Sequence, residues 1–256
     1  MSGMREEEVR AALQRAGFEN ARGEARLLAQ RYGDRVPPSV LERRLSHEPL
    51  QYLLGEWWFC RERYIVTPDC LIPRADTETL VEQAVRYLPE HARFLDLCTG
   101  SGCVAISTLC ARPDTAAAAV DKFEKTLDVA RRNAEANGVA GRCTFFAADV
   151  LADPPAWEPF DAVLANPPYI PDAVVPTLSP EVRHEPPAAL CGGPDGLDFY
   201  RAMLTRWTAL LRPGGFWLFE IGYDQADALR RLAAEHGLSC EVTRDLGGND
   251  RVVRLF

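Results

Sequence analysis

The residues best suited to chemistry are Asn166-Pro167-Pro168-Tyr169, which follow the apolar run Phe160-Asp161-Ala162-Val163-Leu164-Ala165. Two successive prolines lack N–H groups and fix φ, and each holds the residue before it extended, so the chain makes a stiff turn here instead of continuing a strand. The turn offers the carboxamide of Asn166, two carbonyls that a rigid backbone leaves open, and the ring of Tyr169. That set suits a planar –NH₂ group: the Asn166 side-chain oxygen and a prolyl carbonyl accept its two N–H bonds while the ring covers its face. Two acceptors off the plane of a carboxamide favour a more pyramidal nitrogen, as fixed dipoles stabilise developing charge elsewhere. Asn-Pro alone would be an ordinary surface turn. The full quartet, behind an apolar strand and downstream of a glycine loop, reads as a site.

That glycine loop is Cys98-Thr99-Gly100-Ser101-Gly102, between a predicted strand at 93–97 and a helix reaching about residue 111. Glycines at a strand-to-helix turn let backbone approach a ligand and aim helix N–H groups at it. From Gly100 the stretch is G-x-G-x-x-A, and Asp121 lies 21 residues on, after a predicted strand at 116–120, placed to accept both hydroxyls of a ribose. This pattern marks a nucleoside-bearing cofactor without separating NAD from S-adenosylmethionine. Asp96, ahead of the glycines, would sit poorly against a pyrophosphate but can bind an amino-acid ammonium, directly or through water. Asp149-Val150 falls at the end of the next strand (143–147), where adenine would lie; a loop cap explains Asp149 equally well.

These residues need a scaffold, and the pattern supplies one. Strands alternate with helices from residue 93 onward, which indicates a doubly wound α/β sheet, parallel except for a C-terminal pair at 239–243 and 251–255 whose short link requires antiparallel pairing. A helix is predicted over 196–211, ended by Pro213-Gly214-Gly215, with a strand at 216–221 and a helix at 224–236. Upstream, helical spacing over 4–46 marks a small helical unit, and a β-hairpin is expected near 57–72. Asp76 or Thr77 can cap the helix that carries Leu80, Val81 and Ala84. Arg74 and Glu78 read as a surface ion pair or as part of a mouth above the cofactor. The expected division is 1–56 helical, 57–75 hairpin connector and 76–256 catalytic. The segment 170–194 reads as a long irregular lid or binding loop, and its His184 as a solvated histidine.

The chain has 256 residues, 47% of them hydrophobic, enough for a sizeable core. The N-terminus (1–10) is charged and no run is long enough to span a bilayer, so a cytoplasmic protein is expected. Eight cysteines show no C-x-x-C pair and no clustering with the four histidines, which suggests reduced thiols and no metal. Net charge is −8: residues 1–75, with 12 arginines against 11 acids, are near neutral, while the rest carries −9. An acidic body of this kind argues against direct nucleic-acid binding.

The chain resembles the bacterial protein-(glutamine-N5) methyltransferases that act on peptide-chain release factors, the HemK/PrmC type. The resemblance covers nearly the whole chain. It rests on Pro49-Leu50-Gln51-Tyr52-Leu53-Leu54-Gly55, Leu71-Ile72-Pro73-Arg74 with Asp76-Thr77-Glu78, Asp96-Leu97-Cys98-Thr99-Gly100-Ser101-Gly102, Asn166–Tyr169, Glu185-Pro186 with Ala189-Leu190, and Gly248-Asn249-Asp250-Arg251. It implies a Rossmann-like S-adenosylmethionine-dependent methyltransferase sheet behind a helical domain that helps hold a release factor, acting as a monomer, with S-adenosylhomocysteine as product. The acceptor glutamine would then meet Asn166, Pro167, Pro168, Tyr169 and the hairpin residue Phe59. Asp96, the glycine loop, Asp121, Asp149, Val150 and Asn166 would meet the cofactor. Cys98 stands where the family has a glycine and is expected to avoid positive φ; Ala75 stands where it has a proline. Rival readings are an adenine-N6 methyltransferase on DNA or RNA, a glutamine methyltransferase of a ribosomal protein, an NAD-dependent oxidoreductase, and a catalytically silent adaptor.

Overall fold

The computed structural model describes residues 3–256; Met1 and Ser2, the start of the expected helical domain, lie outside the described residues. Four helices come first: α1 Glu6–Arg15, α2 Ala21–Tyr32, α3 Pro38–Leu45 and α4 Leu50–Leu54. Pro38 opens α3, where a missing N–H costs nothing. Their apolar faces close on a core of their own, with Val9, Leu13, Ala25, Leu28, Leu41 and Leu53 among its members. Arg44 and Glu24 are buried at its edge and joined by two bonds of 2.6 and 3.1 Å. Such a fork-to-fork pair keeps both charges satisfied away from water.

The connecting hairpin is β1 Glu56–Phe59 with β2 Glu62–Ile65, shorter than the expected 57–72. Residues 66–74 leave it as irregular chain, and α5 Glu78–Tyr87 follows. Neither Asp76 nor Thr77 caps α5 through its side chain. Then come β3 Arg93–Leu97, α6 Cys103–Ala111, β4 Ala116–Asp121, α7 Glu124–Ala136, β5 Cys143–Ala147 and β6 Phe160–Ala165. The chain closes with α8 Asp198–Arg206, β7 Leu211–Glu220, α9 Ala226–Glu235, β8 Cys240–Arg244 and β9 Asp250–Leu255.

The seven-stranded sheet runs in the order β5-β4-β3-β6-β7-β9-β8. The first five are mutually parallel, and β9 inserts antiparallel between β7 and β8. This is the Rossmann-like methyltransferase arrangement. Its two faces bury separate apolar layers, one under α5 and α6, the other under α8 and α9. Successive strands step outward in one direction from β3 to β5 and in the other from β6, so the switch in order falls between β3 and β6. A crevice opens at the carboxyl ends of those strands.

The expected end of the 196–211 helix is not where the sequence put it. Pro213-Gly214-Gly215 lies inside β7 instead of ending a helix, and α8 stops at Arg206. The register jumps from Phe160↔Leu211 to Ala162↔Phe216, so the extra residues bulge out of the ladder, a strand setting where a proline does little harm. No described helix is long and apolar enough to cross a membrane.

Candidate active site

A cavity of about 370 Å³ opens at the switch point, lined among others by Thr99–Ser101, Asp121–Phe123, Asp149–Leu151, Asn166 and Pro168. Its far wall is the irregular 69–74 segment and part of the 170–194 loop. The glycine-loop and Asn-Pro-Pro residues, about 65 positions apart in the chain, thus share one cleft.

On the glycine side the backbone turns through φ +59° at Cys98, +56° at Gly100 and +83° at Gly102. A Cβ on Gly102 would lie 2.7 Å from Ile106 and 3.2 Å from Ala130, so the position requires glycine for its space as well as its angle. Cys98 was expected to avoid positive φ and does not. The next residue's N–H is bonded to the Val120 carbonyl at 2.9 Å, and the turn is closed by Gly102 N–H to Thr99 at 2.9 Å. These bonds fix the path that Cys98 must follow. Burial pushes its thiol well above the ordinary range, so it is not a thiolate.

Asp121 ends β4 with Oδ2 accepting the Gly100 N–H (3.0 Å) and Oδ1 accepting the Phe123 N–H (3.1 Å). Each oxygen keeps a lone-pair direction for a diol. Asp149 lines the same wall, held by Lys122 at 2.8 Å. Asp96 is 1% exposed and lies beneath the cavity, as Gly102 does, and neither is a lining residue. Its Oδ2 accepts the Thr99 hydroxyl and the Ala105 N–H, while Oδ1 has no partner among the described residues. Burial pushes its carboxyl up to about 7. Of the two modes expected for Asp96, contact through an intervening water is the one that this depth allows. Diol acceptors, a buried carboxylate with a free oxygen and an open glycine turn together fit a nucleoside that also carries an ammonium group.

On the proline side, Asn166 gives its Nδ2 to the Thr77 hydroxyl at 3.1 Å. Its Oδ1 accepts nothing among the described residues, and neither do the carbonyls of Pro167 and Pro168. Asn166 and Pro168 line the cleft, so two unpaired acceptors belong to residues at one corner of it; Pro167, expected to meet the acceptor as well, is buried and does not line the cavity. Two further acceptor-side expectations are corrected. Phe59 is 1% exposed, edge-on to Tyr64 (centroids 5.9 Å apart) in the layer under α5 and α6, so it cannot touch an acceptor. Tyr169 does not line the cavity: its hydroxyl donates to Glu220 (3.2 Å), its carbonyl accepts from Gln225 (3.0 Å), and its ring packs under α8 and α9.

The loop over this corner is not structureless. Three single turns, Val175–Thr177, Val182–His184 and Pro187–Ala189, divide it, and Ile170 bridges Cys191 at its base. Buried Glu185 pairs with Arg74 and accepts the Ile72 N–H, so Arg74 lines the mouth while Glu78 instead accepts the Cys60 N–H. Glu181 reaches Arg44 and His47 of the helical unit, and His184 donates to the Ser46 carbonyl at 3.0 Å. The histidine therefore holds the loop and faces no reacting group. Glu220 and Asn133 are the structural residues that sequence reading overlooked, while Thr77 and Glu185 were singled out without these partners; Asn133 ties Ile65 to the Ser101 carbonyl. Glu220 had a signal: an acid at the carboxyl end of an apolar strand, as Asp96 is one residue before the end of β3.

Residues 75–179 match the methyltransferase small domain family. The release factor glutamine methyltransferase of Geobacter sulfurreducens is 42% identical over 216 residues, covering 84% of this chain and 75% of that protein. The protein of the same name from Moorella thermoacetica is 42% identical over 236 residues, 88% of this chain and 83% of its own. Among solved structures, TrmN from Thermus thermophilus shares the fold over 70% of this chain and 47% of that one, at 27% identity and a TM-score of 0.51.

Proposed function

The chain belongs to the release factor glutamine methyltransferase family, and from that premise we propose that it methylates the side-chain nitrogen of the glutamine in the Gly-Gly-Gln loop of a peptide-chain release factor. The cofactor is S-adenosylmethionine, which when bound supplies a methyl group activated by a sulfonium. Asp121 takes the ribose diol, the 149–151 step flanks the adenine, and Asp96 answers the ammonium through water. The observation that carries the reading is the corner of unpaired acceptors: Asn166 Oδ1 and the Pro168 carbonyl, on residues that line the same cleft as the glycine turn.

An amide nitrogen is a poor nucleophile because its lone pair is delocalised into the carbonyl. Asn166 and a prolyl carbonyl hold its two hydrogens out of plane and so favour the tetrahedral nitrogen that the reaction forms. Holding nitrogen and methyl carbon in line supplies most of the remaining gain. The acceptor nitrogen needs no early base: after transfer it loses one proton, which leaves past the carbonyl acceptors to solvent water. The helical unit of residues 1–56 and the 57–75 connector hold the partner, in a monomeric cytoplasmic enzyme that binds no nucleic acid directly.

Co-expression with a release factor, followed by peptide mass spectrometry, tests the reading. One methyl group on one glutamine is expected. Methyl incorporation into nucleic acid or a ribosomal protein, with none into the release factor, would overturn it.

A further inference from the structure

Behind Asn166 lies a polar group that the proposed chemistry does not use. Glu220, at the carboxyl end of β7, is 1% exposed, and its Oε1 accepts the Tyr169 hydroxyl while Oε2 has no donor among the described residues. Thr77, also 1% exposed, accepts from Asn166 Nδ2, and its own hydroxyl hydrogen has no acceptor among the described hydrogen bonds. The Thr77 hydroxyl is also one of the groups that favour the ionised form of Glu220. β6 and β7 pair Ala165 with Phe219, which sets Glu220 beside the Asn166 turn that Thr77 holds; a donor without an acceptor and an acceptor without a donor, both buried there, have one mutual solution.

We propose that Glu220 sets the orientation of the catalytic carboxamide through Thr77: the hydroxyl hydrogen points to the Glu220 carboxylate, which leaves Thr77 Oγ only able to accept. A hydroxyl has one hydrogen. Once it is committed to the carboxylate, the Asn166 edge facing Thr77 must be the NH₂ edge, and Oδ1 must face the cleft. A protonated Glu220 can donate to Thr77 instead. The Thr77 hydrogen is then free to bond Asn166 Oδ1, the amide turns over, and a donor faces the incoming –NH₂ where an acceptor is required. Thr77 and Glu220 are thus positioning residues, acting only through Asn166.

The other groups around Glu220 are Arg251 from β9, Asp76 from the turn before α5, and Tyr169; Arg251 in turn is held by Asp245 (3.0 Å) and Asp76 (3.3 Å). Burial raises the Glu220 carboxyl to about 7 against the opposing pull of Thr77, Arg251 and Tyr169. A switch in hydrogen direction governed by this carboxyl would lie near neutral pH.

The inference rests on the glutamine reading, and Asn166→Ala separates the two. Turnover is measured on purified release factor from pH 6 to 8.5, with cofactor affinity by calorimetry. The wild type should show a kcat that falls on the acid side with a midpoint near 7, and Glu220→Gln should flatten that limb. Thr77→Val should lower kcat about tenfold or more at unchanged cofactor affinity, the loss expected for one orienting hydrogen bond, and Thr77→Ser should restore it. A Thr77→Val enzyme with wild-type kcat, or a Glu220→Gln enzyme that keeps the acid limb, overturns the relay. Should Thr77→Val not fold, the Glu220→Gln profile decides alone. If Asn166→Ala retains full turnover, the glutamine reading falls; if it is inactive while the Thr77 and Glu220 variants match wild type, only the relay falls.

Discussion

Two turns leave neighbouring strands of one sheet and solve opposite problems. After β3 the chain passes through positive φ at Cys98, Gly100 and Gly102, exploiting backbone freedom to bring the main chain up to the cleft. After β6 it passes through two prolines that remove N–H groups and leave their carbonyls unpaired, with Pro168 on the lining of the same cleft. One turn is a close-approach surface made from latitude, the other an acceptor surface made from restriction. Each is backed by a buried carboxylate with one unpaired oxygen, Asp96 and Glu220, and burial pushes both to about 7. The contrast teaches a division of labour: cofactor affinity should reside in the first turn and turnover in the second.

The largest expected effect tests the second half. Asn166→Ala should cost roughly 10²–10³ in kcat, the scale of losing a preorganised polar group at the reacting centre, with cofactor affinity nearly unchanged. An equal loss in cofactor binding, seen by calorimetry, would break the division. Gly192→Ala comes next. A Cβ there would sit 2.7 Å from the Pro168 carbonyl oxygen and must push the acceptor turn, and a displacement near 1 Å can cost on the order of 10² in rate. Steady-state kinetics at saturating cofactor would show it, and a wild-type kcat would mean that the turn has slack.

Asp121→Ala probes the first turn. It should weaken the cofactor by about 1–3 kcal/mol, as for charge-assisted hydrogen bonds, and leave kcat at saturation close to wild type. An unaltered dissociation constant would move the ribose elsewhere. The smallest effect sharpens the comparison. Cys98→Gly should raise the thermal midpoint through a gain of about 0.5–1 kcal/mol, since relief of left-handed strain outweighs the added freedom of the unfolded chain. A lower midpoint would show that the thiol's packing outweighs that strain.

The sheet was legible because its strands are short apolar runs set off by turn residues, and β6 is an example: Phe160–Ala165 has the predicted bounds. The two turns were legible for the same reason, since glycine and proline act on their own backbone. What escaped was set by distant neighbours. Pro213-Gly214-Gly215 reads locally as a helix stop, and only pairing with β6 draws it into a bulged strand. Cys98 has no intrinsic wish for positive φ; the bonds at Thr99 and Gly102 impose it. Phe59 aligned with an acceptor-binding position, yet packing against Tyr64 takes it into the interior. Thr77 read as a helix cap because the partner that claims its hydroxyl lies 89 residues away.

The segment from Ile170 to Cys191 is fastened at both its root and its crest: to itself beside the acceptor turn, and to Arg44, His47 and Ser46 on the helical unit. It therefore works as a brace between the part that grips and the part that reacts. A single proteolytic nick near its tip should leave the two fragments together on a native gel. A tug delivered to the helices by a docked partner would arrive, through this brace, at the corner where the amide is held.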